Sequence, residues 1–206
     1  MVMRVEAHGV HLKLIVAITG ASGVIYAKRL LEALRGSDVE THLVISRNAE
    51  KIIEHELGVT KKEIENLASH IYDVDDWESP ITSGSFRLDG MVIVPCSMKT
   101  LAGIAHGYSD NVILRAADVM LKEGRKLILV PRETPLNVVH LRNMLWLAKQ
   151  GVHMVPAMPA FYHKPKSIED LVNYIVGKVL DILGIEHTLY RRWKENGKLA
   201  LLGEEL

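Results

Sequence analysis

One segment near the amino terminus constrains the fold more than any other part of the chain. Residues 13–19 (KLIVAIT) are apolar and rich in β-branched side chains, which is typical of a strand buried on both faces of a parallel sheet. A glycine-rich turn follows at residues 19–23 (TGASG), and apolar residues then recur at helical spacing from Val24 to Leu34, with Gly36 closing the predicted helix. This order predicts an α/β protein whose first turn holds a phosphate-bearing ligand.

The same alternation of strand and helix continues to the end of the chain. Further strands are predicted at residues 39–46, 91–95, 127–130 and 152–155, and helices at residues 48–56, 100–106, 112–123, 138–149 and from 168 onward. Residues 58–88 are polar and mixed, and we expect them to be the least regular part of the chain. The alternation predicts a three-layer α/β fold with a mostly parallel sheet covered by helices on both faces.

The length favours one large domain. The chain has 206 residues, and no repeat or linker divides it. We therefore predict an amino-terminal extension over residues 1–12, a single domain over residues 13–196 and a carboxy-terminal tail over residues 197–206.

Charge and composition argue against several classes of protein. Lysine plus arginine and aspartate plus glutamate number 25 each, so no net charge attracts nucleic acid or an anionic membrane. The first twelve residues do not resemble a signal peptide, and no apolar run approaches the roughly 20 residues of a membrane span. Cys96 is the only cysteine, which suits the reducing cytoplasm. We therefore expect a cytoplasmic protein that binds neither nucleic acid nor membrane.

Polar residues follow the predicted strands, where ligands bind in open parallel sheets. They are Gly20, Ala21 and Ser22 after the first strand, Ser46 at the end of the second, Ser97, Met98, Lys99 and Thr100 after the third, and Arg132 and Glu133 after the fourth. Several of these segments open helices, whose free N–H groups favour an anion. Any one serine is equally well explained as an ordinary helix cap, but several such segments on one rim indicate a binding site.

Three other patterns are better explained without a special function. Tyr162 and Lys166 match the spacing of the catalytic pair of short-chain dehydrogenases, but Pro165 between them opposes the helix that this pair requires. The aspartates of residues 73–76 lie in the polar stretch and indicate a solvated loop, and the ten histidines show no metal-ligand spacing, so we predict no metal. Cys96 directly follows a buried strand, which favours an inert thiol beneath the ligand.

Four stretches in order resemble the flavin prenyltransferases, the UbiX/Pad family: TGASGVIYAKRLLEAL, GMVIVPCSMKTLAGIAHGYSDNVILRAADVMLKE, RETPLNVVHLRNM and PAFYHKP. The resemblance runs from about residue 13 to about residue 193. It implies a Rossmann-like, flavodoxin-related fold that binds FMN. It also implies transfer of a dimethylallyl group from dimethylallyl phosphate to N5 and C6 of reduced FMN, without a metal. The product, prenylated FMN, would serve a UbiD-type decarboxylase, and the chain would form a homo-oligomer, often a dodecamer, with active sites at subunit junctions.

The resemblance also implies roles for individual residues. The implied FMN contacts are Gly20, Ala21, Ser22, Ser46, Ser97, Met98, Lys99, Thr100 and Arg132. The implied substrate contacts are Tyr162, Lys178, Lys122, Arg115, Arg132 and Trp193, and the implied catalytic residues are Glu133, Ser22, Lys122 and Tyr162. Cations would neutralise the departing phosphate, and Glu133 would act as the general acid that protonates it. The family often has arginine where this chain has Lys178. A lysine keeps the positive charge but lacks the forked geometry of a guanidinium.

Two alternatives remain open at this point. A related FMN-dependent cysteine decarboxylase would favour a PASANT-like segment where this chain has residues 95–100, and it would carry a catalytic histidine after the first helix, where none occurs between Ser22 and Glu40. A flavin carrier without activity would not need the cations at Lys122, Arg132 and Lys178.

Overall fold

A computed structural model describes residues 11–193 of the chain. The chain divides into two compact units, Met1–Ala157 and Met158–Leu206. The predicted extension over residues 1–12 and the tail over residues 197–206 lie almost entirely outside the described residues, and the predicted domain bounds stay a prediction. Among the described residues, no helix is both long and apolar enough to cross a membrane.

The first unit is a parallel sheet with helices between its strands. The strands are β1 (Leu12–Ile18), β2 (Val39–Ile45), β3 (His70–Tyr72), β4 (Gly90–Cys96), β5 (Lys126–Pro131) and β6 (His153–Met154). The helices are α1 (Val24–Arg35), α2 (Arg47–Leu57), α3 (Lys61–Glu65), α4 (Met98–Ala105), α5 (Val112–Lys122) and α6 (Val138–Lys149), with a 3-10 turn at Pro80–Thr82. The second unit contains α7 (Ile168–Leu183).

The strand order is β3-β2-β1-β4-β5-β6, and every neighbouring pair is parallel. The chain runs outward from β1 to one edge, returns, and runs outward from β4 to the other edge. The order therefore reverses between β1 and β4, and the turns that follow these two strands diverge there. Such a switch point leaves a crevice at the carboxyl ends of the strands, where ligands bind in α/β sheets of this kind.

The core explains why the strands read as continuous apolar runs. All seven residues of β4 are buried, as are the last five residues of both β1 and β2. Helix α1 packs on β1, β2 and β4, and α5 packs on β4 and β5. Ile15, Ala17, Met91 and Ile93 join one apolar cluster with most of the buried side chains of α5. Burial on both faces removes the polar alternation that a half-exposed strand would show.

The five predicted strands and the parallel α/β class are confirmed, but the polar stretch contains elements that the pattern did not reveal. Strand β3 and helix α3 both fall within residues 58–88. Strand β3 is an edge strand of three residues, and its His70 and Ile71 are exposed. A strand this short, without a buried face, shows no periodicity in the sequence.

Candidate active site

The carboxyl edge of the sheet carries a cavity of about 490 Å³. Its volume lies within the range of small-molecule and cofactor sites. The lining residues are Gly20, Ser46, Arg47, Asn48, Val74, Asp75, Ser97, Met98, Lys99, Thr100, Asp110, Asn111, Ile113, Leu114 and Glu133. The structure thus brings together seven residues that the sequence predicted for the site: Gly20, Ser46, Ser97, Met98, Lys99, Thr100 and Glu133.

Three helices begin at this cavity, each with a polar N-cap. The Ser46 side chain accepts a hydrogen bond from the backbone N–H of Ala49, Ser97 from that of Thr100, and Asn111 from that of Leu114. These caps hold the first turns of α2, α4 and α5 toward one space. Helix amino termini carry partial positive charge, so the cavity favours an anionic ligand such as a phosphate.

The turn before α1 was expected to hold a phosphate, but the amino terminus of this helix already has an anionic partner. The Glu56 carboxylate accepts hydrogen bonds from the backbone N–H groups of Gly23 (2.9 Å) and Val24 (3.3 Å). This side chain from α2 therefore supplies the anion that the amino terminus of α1 would otherwise attract. Ala21 is buried and Ser22 is exposed, and neither lines the cavity.

Gly20 stands where the chain passes closest to α2. A Cβ atom at this position would lie 2.8 Å from the Cβ atom of Asn48, well inside normal contact. Any other residue would push α2 away from β1 and change the floor of the cavity. The glycine is therefore required by close approach, as expected for a turn that lets backbone reach a ligand.

Thr19 is a structural residue of the site that the sequence did not single out. Its hydroxyl donates to the carbonyl oxygen of Pro95 (2.8 Å) and accepts from the backbone N–H of Ser97 (2.8 Å). The side chain is almost fully buried. It joins the ends of β1 and β4 at the switch point, and so fixes the spacing between the two central turns. A buried threonine directly before the glycine turn was the available signal.

Arg132 and Glu133 follow β5 and behave differently. Glu133 lines the cavity, and its carboxylate accepts a hydrogen bond from the backbone N–H of Thr134 at 3.1 Å. Arg132 is not a lining residue, but its Nε atom is buried and has no hydrogen-bond partner among the described residues. An unpaired buried donor is costly unless a ligand or water satisfies it, so this guanidinium is suited to an anion.

Sequence reasoning missed the outer part of the cavity. Arg47 and Asp75 both line it, and their side chains form an ion pair there. Asp110 and Asn111 border it from the loop before α5. Asp110 and Asn111 stand immediately before an apolar helical pattern, where such residues are typical N-caps. This signal could have identified α5 as another helix that begins at the cavity.

Lys122 lies at the end of α5 away from the cavity, whereas Arg115 lies in the first turn of this helix and directs its side chain to other partners. Lys122 is the last residue of this 11-residue helix, which spans about 16 Å, and its Nζ atom lies 2.6 Å from Glu123 Oε1. Arg115 donates to Asp118 (2.8 Å) and to the carbonyl oxygen of Thr82 (3.1 Å). Neither lines the cavity, so a single chain does not bring Lys122 and the rim residues together.

The second unit gathers the remaining predicted residues. The rings of Tyr162 and Trp193 meet edge to face, with centroids 5.2 Å apart. The ammonium group of Lys178 lies 5.3 Å from the ring centroid of Tyr190 and 5.9 Å from that of Tyr174, within the distance of a cation–π contact. A hydrogen bond with Tyr190 raises the pKa of Lys178, so the ammonium stays charged at neutral pH. Arg192 lies 5.6 Å from the ring centroid of Tyr190 as well, so the aromatic cluster of this unit holds two cations, Lys178 and Arg192.

Cys96 is fully buried at the end of β4. Burial raises the pKa of the thiol far above its ordinary value, so the reactive thiolate does not form at neutral pH. The expectation of an inert packing residue agrees with this environment.

Comparison with known proteins gives a consistent result. The flavoprotein family profile matches residues 3–180. The chain is 56% identical over 182 residues to the flavin prenyltransferase UbiX of Methanocaldococcus jannaschii, covering 88% of this chain and 98% of that protein. It is 56% identical over 180 residues to the protein of the same name from Methanothermobacter thermautotrophicus, covering 87% and 94%.

Solved structures agree. The crystal structure of a dodecameric FMN-dependent UbiX-like decarboxylase from Escherichia coli O157:H7 matches with a TM-score of 0.87 and 53% identity, over 88% of this chain and 99% of that one. A structure of AnUbiX in complex with FMN and dimethylallyl pyrophosphate matches with a TM-score of 0.87 and 48% identity, over 89% and 97%. The peptidyl-cysteine decarboxylase EpiD matches at 18% identity with a TM-score of 0.56, over 73% of this chain and 82% of that one, which shows a shared fold only.

Proposed function

Since the chain belongs to the flavoprotein family, and its relatives over most of its length are flavin prenyltransferases, we propose that it transfers a dimethylallyl group to reduced FMN. The donor is dimethylallyl phosphate, and the new bonds form at N5 and C6 of the flavin. One structural observation carries the proposal: a cavity at the switch point of a parallel sheet, bordered by three helix amino termini. The Arg132 Nε donor, which has no hydrogen-bond partner among the described residues, follows the neighbouring strand β5. No observation in the first unit favours the cysteine decarboxylase alternative.

The residues of the cavity fit FMN. Gly20 permits close approach of backbone, and Ser46, Ser97 and Thr100 offer hydroxyl groups beside helix amino termini. Lys99 adds a positive charge in the first turn of α4. These groups suit a ligand with one phosphate and several polar ring edges. We assign FMN contacts to the lining residues Gly20, Ser46, Ser97, Met98, Lys99 and Thr100. From the resemblance we also assign FMN contacts to Ala21, Ser22 and Arg132, which do not line the cavity.

The chain's own residues then have three tasks. When bound, reduced FMN supplies the electron-rich ring that accepts the prenyl group. The bond between the allylic carbon and the phosphate oxygen breaks, and inorganic phosphate leaves. Arg132 stabilises the negative charge that develops on this leaving group, and Glu133 transfers a proton to it. Tyr162 donates a hydrogen bond to the phosphate oxygens, and Ser22 completes the proposed catalytic set.

Lys122 and Arg115 are proposed to act on the substrate of a neighbouring subunit. Lys122 lies at the end of α5 farthest from the cavity, so in this proposal Lys122 and Arg115 serve the site of a neighbouring copy. We assign further substrate contacts to Lys178, Tyr162 and Trp193. The positive charges neutralise the leaving phosphate without a metal.

We also propose that the chain forms a homo-oligomer, specifically a dodecamer. An exposed apolar face on α6 supports assembly. Helix α6 buries Asn143 and Leu147 and exposes several apolar side chains, whose exposed fractions are Val138 69%, Val139 59%, Leu141 52%, Leu145 58% and Trp146 54%. This reverses the ordinary pattern of a surface helix, and a patch of this kind marks a protein–protein contact. We further propose a cytoplasmic location and a UbiD-type decarboxylase as the recipient of prenylated FMN.

Anaerobic incubation with reduced FMN and dimethylallyl phosphate tests the function. Mass spectrometry of the released flavin is expected to show FMN heavier by one prenyl unit, in step with release of inorganic phosphate. Parallel reactions with dimethylallyl pyrophosphate test which donor is used. Unmodified FMN with both donors, from folded protein that holds FMN, contradicts the proposal.

A further inference from the structure

A carboxylate and two imidazoles converge at the amino ends of β2 and β3, on the side of the sheet opposite the cavity edge. Glu40 and His42 lie two residues apart on β2 and therefore point to the same face. His70 on β3 is the direct partner of His42 in the parallel ladder. Strand pairing thus brings His70 next to Glu40 and His42, although Glu40 and His70 are 30 residues apart in the sequence.

The distances among these groups suit a metal ion. Glu40 Oε1 lies 3.0 Å from His42 Nε2 and 3.2 Å from His70 Nε2. All three atoms lie within 4.8 Å of one another. In a tetrahedral site with bonds of 2.0–2.1 Å, the ligand atoms stand about 3.3 Å apart. These two separations are close to that value, and the His42 and His70 rings stack with their centroids 4.8 Å apart.

His42 is the member that most needs a partner. Its side chain is 1% exposed, and its Nε2 atom, 3.0 Å from Glu40 Oε1, makes no hydrogen bond to any described residue. Its Nδ1 atom lies 3.0 Å from the Tyr72 hydroxyl. Metal-binding histidines usually hold their second nitrogen in this way, which fixes the ring and directs the other nitrogen to the ion.

The two oxygens of Glu40 share Lys13 and differ in their other neighbours. Oε1 lies near the imidazoles of His42 and His70 and also accepts a hydrogen bond of 3.4 Å from Lys13 Nζ. Oε2 lies 3.1 Å from Lys13 Nζ and 3.2 Å from His11 Nε2. An ion on Oε1 would therefore replace the longer Lys13 contact, while Oε2 keeps Lys13 and His11. Such outer partners orient a ligand and offset its charge.

We propose that Glu40 Oε1, His42 Nε2 and His70 Nε2 bind one divalent transition-metal ion of the class that Zn²⁺ represents, with solvent at the fourth position. Two imidazoles and one carboxylate favour Zn²⁺, Co²⁺ or Ni²⁺ over Mg²⁺ and Ca²⁺, which prefer oxygen ligands only. This site departs from the sequence-based prediction of no metal, which considered only spacing along the chain.

The ion would join the short edge strand β3 to β2. Strand β3 has only three residues, so its pairing with β2 gains much from a cross-strand link. Glu40 precedes Ser46 by six positions on one extended strand, about 20 Å. The metal site is therefore separate from the FMN cavity, and the inference does not rest on prenyl transfer.

Titration with Co²⁺ tests the site directly, on the full chain loaded with FMN and carrying no histidine tag. Wild type is expected to bind one Co²⁺ per chain, with visible absorption bands that excess Zn²⁺ removes. His70→Ala and Glu40→Gln are expected to weaken binding at least about tenfold, the scale produced by loss of even outer-shell partners. His70 is half exposed, so its variant tests the site without disturbing the core as His42→Ala would.

His55→Ala is the matched control, since His55 is exposed on α2 outside the cluster. It is expected to bind Co²⁺ like wild type. Zn²⁺ is also expected to raise the melting temperature of wild type and of His55→Ala, but not of His70→Ala, because an ion that binds only the folded chain stabilises it. The inference is overturned if wild type binds Co²⁺ no better than His70→Ala, or if His55→Ala loses as much affinity as His70→Ala.

Discussion

The hydroxyl of Thr19 accepts a hydrogen bond of 2.8 Å from the backbone N–H of Ser97, 78 residues further along the chain. The same hydroxyl donates to the carbonyl oxygen of Pro95 at 2.8 Å. One buried side chain therefore links the two turns that flank the switch point. The cavity depends on this link, since Gly20 and Ser97 border it from the two sides.

Thr19→Val is expected to weaken FMN binding and lower stability by about 1–3 kcal/mol, because it leaves the Ser97 N–H without its partner. The Pro95 carbonyl keeps only the longer bond from the backbone N–H of residue 19. Calorimetric titration with FMN and urea unfolding measure the two effects. Thr41→Val is the control, since Thr41 is equally buried and bonds to Ser69 near the amino end of β2. If the control weakens FMN binding as much as Thr19→Val, the link has no special role in shaping the cavity.

Glu133→Gln is expected to slow prenyl transfer by about 10²- to 10⁴-fold while FMN still binds, because the amide fits the same space but has no acidic proton to transfer. Turnover is followed by mass spectrometry of the flavin, and FMN content by absorbance. Glu54→Gln, an exposed carboxylate of α2 away from the cavity, is expected to behave as wild type. Normal turnover by Glu133→Gln would remove Glu133 from the proton-transfer role.

Ser46→Trp is expected to abolish FMN binding, since an indole in the first turn of α2 fills the cavity. The variant also loses a helix cap, which costs about 0.5–2 kcal/mol. Ser167→Trp separates the two effects, because Ser167 caps α7 in the same manner but does not line the cavity. The protein is expected to purify yellow in the Ser167 variant and colourless in the Ser46 variant. A yellow Ser46→Trp protein would refute this contact.

Trp146→Glu is expected to dissociate the oligomer, because a carboxylate on the exposed apolar face of α6 resists burial between copies. Light scattering after size-exclusion chromatography measures the mass of the assembly. Prenyl transfer is expected to fall with it, since Lys122 and Arg115 are proposed to act across a subunit boundary. An exposed polar position on the same helix, Arg142→Glu, provides the comparison. An unchanged mass for Trp146→Glu excludes this face as the contact.

Asp181→Asn is expected to destabilise the protein at pH 7 by about 1–3 kcal/mol, the range for hydrogen bonds to a charged group. Burial alone would raise the pKa of Asp181, but hydrogen bonds from Tyr190, Arg192 and His187 outweigh it and lower that pKa. A lowered carboxyl pKa stabilises the folded state above the unfolded pKa near 3.9, and this contribution is lost as the pH falls through the lower folded value.

Urea unfolding at fixed protein concentration, at pH 7 and below pH 4, measures the effect. The gap in unfolding free energy between wild type and Asp181→Asn is expected to narrow at the lower pH. Glu186→Gln, an exposed neighbour, is expected to show no gap at either pH. If the difference in unfolding free energy between wild type and Asp181→Asn does not change with pH, the destabilisation results from altered packing and not from the lost charge.

Much of the fold and about half of the candidate site followed from the sequence, because both depend on local patterns. Continuous apolar runs identified five strands, and the glycine turn and the helix caps Ser46 and Ser97 identified the carboxyl edge. Strand β3 was not predicted, because a strand of three residues, two of them exposed, is too short to show a periodic pattern.

Tertiary structure decided the relationships between segments distant in the chain. Glu56 neutralises the amino terminus of α1, and Lys122 lies at the far end of α5 from the cavity. Thr19 reaches Ser97, and His70 meets His42, only because strands pair in a particular order and register. The sequence determines which side chains a strand or helix can present, since periodicity is local. Which of them meet depends on lateral pairing, and its register is set by the packing of the whole core.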